Sequence, residues 1–81
     1  MQRVLIQSSN LKSVGYDTDK KILEVEFQGG GIYQYDKVSQ IVFEEFMTAE
    51  SKGRYFHANI KNKFAHTRVD KPNSEIINEH L

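Results

Sequence analysis

Eighty-one residues without a cysteine, 38% hydrophobic and 27% charged, suit one globular domain with a thin core. They exclude disulfides, thiolate zinc sites and cysteine nucleophiles. The net charge of zero removes the long-range pull of a strongly basic protein on a polyanion, and no apolar run nears the ~20 residues of a membrane span.

The opening stretch, Met1 to Gln7, is too short for the apolar region of a signal peptide, so a cytoplasmic location is expected. Val4 and Ile6 alternate with polar neighbours, which makes residues 2–7 an additional edge strand. Val14 and Tyr16 alternate in the same way. Asp17-Thr18-Asp19-Lys20 reads as a turn, because short Asp and Thr side chains bond back to the local backbone. In Ile22-Leu23-Glu24-Val25-Glu26-Phe27, Leu23, Val25 and Phe27 share one face, and Glu24 and Glu26 lie on the other. Residues 11–16 and 21–28 thus form a hairpin. Gly29-Gly30-Gly31 turns the chain into Ile32-Tyr33-Gln34-Tyr35-Asp36.

The period then becomes helical. Val42, Phe43, Phe46 and Met47 recur behind Ser39, a natural N-cap, with Val38 placed to staple against Phe43. Ser51 starts a second helix over roughly 52–62, where Tyr55, Phe56, Asn59 and Ile60 fall three or four apart. Phe64 to Val69 alternates again as a short final strand. The tail from Asp70 to Leu81 carries Pro72 and few apolar groups, and is expected to be mobile. The fold class expected is α+β: a three- to four-stranded antiparallel meander against two short helices, in one domain over residues 1–69.

Charge is unevenly spread. Residues 1–50 sum to −3, whereas residues 51–69 hold Lys52, Arg54, Lys61, Lys63 and Arg68 with no acid, together with His57 and His66. A capped helix start at Ser51, with free N–H groups near Gly53 beside Lys52 and Arg54, makes an anion site; a capped turn with two solvated cations fits the same residues. Tyr33 and Tyr35, two apart in a strand, project from one side of the sheet. On an open face they would stack bases; under the helices they would be core, and burial of at least one ring is expected. Gly29 to Gly31 lack the context of a phosphate-binding loop. The three histidines show no metal-ligand spacing, and His57, His66 and Lys63 lack any feature fixing the geometry of a nuclease. No cofactor, metal or catalytic residue is expected.

Ser8-Ser9-Asn10, Val14-Gly15-Tyr16-Asp17, Leu23-Glu24-Val25 with Phe27, Tyr33-Gln34-Tyr35 and Ser51-Lys52-Gly53-Arg54-Tyr55-Phe56, in that order, resemble the KTSC domain. This small module sits at the C-terminus of some lysyl-tRNA synthetases and also stands alone in bacterial and phage-type proteins. The resemblance runs from about residue 8 to residue 69. It implies Tyr33, Tyr35, Lys52, Gly53, Arg54 and Tyr55 as candidate site residues, and RNA as a candidate partner. The sequence departs from the pattern at His57, where Asn commonly follows, and lacks a proline after Val38.

The leading expectation is a non-catalytic module for RNA, single-stranded nucleic acid or another phosphate-bearing ligand. The tyrosines would meet the base, and Lys52, Arg54, Lys61 and Lys63 the phosphates, with His57 beside them. The alternative is a protein-binding module, a small regulator or inhibitor or an edge-strand homodimer, to which a neutral, charge-split surface is also suited.

Overall fold

The alternation of residues 22–27 becomes the central strand of a five-stranded antiparallel sheet in the computed structural model, which describes residues 3–69. The expectation for the tail 70–81 lies outside the described residues. The strands β1 (Arg3–Leu5), β2 (Leu11–Asp17), β3 (Ile22–Phe27), β4 (Ile32–Tyr35) and β5 (His66–Arg68) lie side by side in chain order. Helices α1 (Gln40–Thr48) and α2 (Lys52–Asn59) intervene between β4 and β5. Among the described residues, no helix is long and apolar enough to cross a membrane.

The turns form where short side chains and glycine allow them. Asp17 Oδ1 accepts from the amides of Asp19 and Lys20, both at 3.0 Å, and Lys21 closes the turn in a left-handed conformation at φ 59°. Gly30, at φ 107°, supplies the backbone conformation that joins β3 to β4. Both serine caps are present: Ser39 Oγ accepts from the Val42 amide at 3.2 Å, and Ser51 Oγ from the Arg54 amide at 3.3 Å.

Register sorts the two faces. Val14 lies opposite Val25, which lies opposite Tyr33; Tyr16 lies opposite Leu23, which lies opposite Tyr35 and then His66. Val14, Leu23, Val25 and Tyr35 form the core with Val38, Phe46, Phe56 and Ile60, which arrive from the helical layer and its flanks. The Tyr16 ring stacks on Phe43, with centroids 4.4 Å apart, and its hydroxyl donates to the Val38 carbonyl. α2 is shorter than its spacing predicts. Ile60 leaves helical geometry at φ −120°, which sinks its side chain fully into the core, and a turn carries the chain through Lys63.

The other face is polar, as the position of Glu24 and Glu26 predicts, but it is not a solvated one. Glu24 is fully buried. Arg3, Gly15, Glu24 and Gln34 lie in one row across four strands. Because Gly15 has no side chain, the Arg3 guanidinium can cross β2, and it pairs with Glu24 and, at 3.2 Å, with Glu26. Gln34 Nε2 donates to Glu24 Oε1 and Ser13 Oγ donates to Glu26 Oε1, each at 2.9 Å. A charge removed from water needs this kind of compensation.

Candidate functional site

Tyr33 and Tyr35 share a face of β4, and it is the face that the helices cover. An open stacking platform is therefore not what the tyrosines make. Phe56 of α2 packs edge-on against Tyr35 at 5.5 Å and against Phe27 at the same distance. Tyr35 is only 3% exposed, which meets the expectation that at least one ring is buried.

The rings do not close the layer completely. A groove of about 570 Å³ opens between the β4–β5 end of the sheet and α2, walled by Phe27, Tyr33, Tyr35, Phe56 and His66. Asn10, His57, Lys61 and Asn62 supply its polar rim. Phe27 stands at 78° to Tyr33, Phe56 at 83° to Tyr35, and His66 at 64° to Tyr33. Edge-to-face contacts of this kind are the favoured arrangement of buried rings. The Tyr35 hydroxyl takes part in no hydrogen bond among the described residues. Burial, and then the neighbouring Tyr33, push its pKa up to about 12.

A second groove, of about 650 Å³, adjoins the first and shares Asn10 and His57 with it. One wall is the loop from Gln7 to Asn10, folded by Ser8 Oγ, which accepts from the amides of Asn10 and Leu11 at 3.3 Å. The other wall is the start of α2 with Ser51, Lys52, Gly53 and Arg54. Gly53 sits where a Cβ would lie 3.4 Å from Ser8 Oγ, so the loop lies close against the helix. The lining also includes Glu50, so the groove is not purely cationic.

The structure thus brings together Tyr33, Tyr35, His57 and Lys61 in one groove, and Lys52, Gly53, Arg54 and His57 in the other. Tyr55 and Lys63 line neither. Tyr55 turns to α1, where its hydroxyl donates to Glu45 Oε1 at 2.8 Å and its ring stacks on Phe46. Phe27 joins Tyr33 and Tyr35 on the face that its alternation with Leu23 and Val25 marks, whereas His66 and Asn10 join the aromatic groove without a local signal, because β5 and the β1–β2 loop reach it only through the fold. No group of three or more metal-binding side chains occurs among the described residues.

The tyrosines set a limit at alkaline pH. Tyr35 and Tyr55 are both raised to about 12 from the ordinary 10.0, Tyr55 by burial first and then by its bond to Glu45. The folded state therefore holds these protons more tightly than the unfolded chain does. Their contribution to stability is complete below pH 10 and is lost as the pH rises through about 12. Urea denaturation across this range should show stability falling, and Tyr35→Phe should flatten the fall.

A model of the KTSC domain matches residues 7–64. The chain is 42% identical over 71 residues to an uncharacterised protein of Stutzerimonas stutzeri, covering 86% of this chain and all of that one. It is 40% identical over 63 residues to a lysine–tRNA ligase of Trichormus variabilis, covering 78% of this chain but 11% of the ligase. Among solved structures, the crystal structure of a KTSC domain protein from Yersinia pestis superposes with a TM-score of 0.82 at 43% identity. That match covers 84% of this chain and 96% of the other.

Proposed function

The chain belongs to the KTSC domain family, and from that premise we propose that it is a non-catalytic module that binds single-stranded nucleic acid, RNA foremost. The observation that carries the reading is the junction of two grooves at His57 and Asn10, one walled by aromatic rings and the other edged by Lys52 and Arg54. Aromatic side chains recognise the faces of unstacked bases, and neighbouring cations hold the backbone that joins them. A duplex offers its bases only at their edges, so a strand with free bases is the better ligand for such a groove. The related segment within a ligase named for a tRNA substrate agrees with this, although the ligase's activity is its own.

Binding should fall as salt rises. If Lys52, Arg54 and Lys61 each neutralise one phosphate, log K should fall against log salt with a slope of about −2, because single strands lose roughly 0.7 per phosphate. This amounts to roughly an order of magnitude between about 50 mM and about 200 mM salt. A chemical-shift titration with short single-stranded RNA at both salt levels tests it. Shifts clustered at the two grooves and weakening with salt support the reading; no shifts at low salt overturn it.

A second reading rests on β1. It is one of the two edge strands of the described sheet, and it exposes Val4 at 51% and Leu5 at 65%. An exposed edge with apolar side chains invites strand pairing, and a second copy of this chain would supply the pairing strand. A monomer by sedimentation sinks that reading.

A further inference from the structure

The rings around the aromatic groove make a box and not a ladder. Successive stacked bases need parallel ring faces spaced along a strand. Here the Phe27–Tyr33, Phe27–Phe56 and Tyr35–Phe56 contacts stand at 69° to 83°, while His66 meets Tyr33 at 64° and is tilted 37° from Tyr35, so the walls offer no continuous run of parallel faces. The groove's volume of about 570 Å³ falls within the range of roughly 300–1,000 Å³ usual for single small ligands. At the same time, Tyr35 is almost wholly buried at 3% exposure, lines the groove, and has no protein partner for its hydroxyl among the described residues. The hydroxyl keeps contact with solvent at the groove, and a ligand's polar edge can replace that water as its partner.

Charge narrows the class of ligand. Lys61 and His57 lie on the rim of the groove, and Lys52 and Arg54 lie across His57 in the adjoining one. A cationic guest would meet these groups unfavourably. A flat, hydrogen-bonding ring joined to an anion meets both grooves. We infer that the aromatic groove lodges one base at a time, with its edge on the Tyr35 and Tyr33 hydroxyls and its phosphate toward His57 and Lys61, so that a single nucleoside monophosphate is a complete ligand. This rests on the nucleic-acid reading and specifies its unit: recognition is by one unstacked nucleotide, while the neighbouring strand runs past Lys52 and Arg54 in a groove that Glu50 also lines.

The test titrates the full chain, at low salt, with each of the four ribonucleoside monophosphates, a short single-stranded RNA and inorganic phosphate. Saturable shifts at Tyr33, Tyr35, His57 and His66 with at least one monophosphate are expected. Tyr35→Phe keeps the ring and should weaken that binding about tenfold, the scale of one buried hydrogen bond, while its amide spectrum shows the fold retained. If Tyr35→Phe does not fold, Tyr33→Phe reads the second hydroxyl in the same way. Binding of the RNA but of no monophosphate overturns the one-base site and leaves the nucleic-acid reading standing. Binding of neither overturns both. Equal shifts with inorganic phosphate overturn the role given to the base.

Discussion

Phe56→Ala should cost about 3–5 kcal/mol of folding stability, the range for losing a large ring from a packed core. Phe56 is 2% exposed and is the one ring of α2 that meets the sheet and α1 together, through Phe27, Tyr35 and Phe46. Little nearby can collapse into the space, because Tyr35 and Phe27 are held by their own strands. Domains of this size are typically stable by about 5–15 kcal/mol, so the loss is a large share of the whole. Urea denaturation measures it. The neighbouring Tyr55→Ala removes a ring of similar size from a more exposed site and should cost clearly less. An equal cost for the two would mean that α2 is not anchored through Phe56. Because Phe56 also walls the aromatic groove, the variant should lose ligand binding even where it stays folded.

Arg3→Ala should be destabilising by about 3–5 kcal/mol, as when one partner of a buried ion pair is removed. Glu24 is fully buried, and the Arg3 side chain beside it is 2% exposed. Gln34 still donates to Glu24 in the variant, but a neutral amide does not replace a guanidinium. The double change Arg3→Met with Glu24→Leu removes both charges and keeps apolar volume, so most of the stability should return. Denaturation of the wild type and both variants at neutral pH separates the cost of an abandoned carboxylate from that of lost packing. If the double variant is no better than Arg3→Ala, packing dominates and the ion pair is incidental.

Much of the fold could be read locally because its signals are local. Leu23, Val25 and Phe27 alternate, Asp17 bonds its own turn, and Ser39 and Ser51 each cap the helix that follows by accepting from the amide three residues ahead. The site was only half legible for the same reason. Tyr33 and Tyr35 share a face by strand periodicity, but which face is covered depends on where α2 lands. Tyr55 and Phe56 are adjacent in sequence and so point about 100° apart on a helix; one turns to Glu45 and the other to Tyr35. The burial of Glu24 was out of reach altogether. Alternation marks it as the polar face, and only the register that aligns Arg3 with Gly15 shows that it is paired rather than solvated. His66 enters the groove through its pairing with Tyr35, a contact that spans both helices in sequence.

That last contact governs timing. Three of the four strand pairings join neighbours across short loops, whereas β4 and β5 pair only after α1 and α2 have been placed between them. Closing short loops costs less chain entropy than closing long ones, so the first four strands can assemble early while β5 must wait. His66, which walls the aromatic groove, rides on that late strand. The aromatic groove is therefore expected to be the last part of the molecule to form during folding. A β5 of three exposed residues, His66 to Arg68, is also among the easier segments to peel away again, by local opening well short of global unfolding. Hydrogen exchange at Val69, whose amide donates to the Ile32 carbonyl at 2.9 Å, and at Thr67, whose amide faces Gln34 in the same ladder, would report how often the groove is unmade in the native protein.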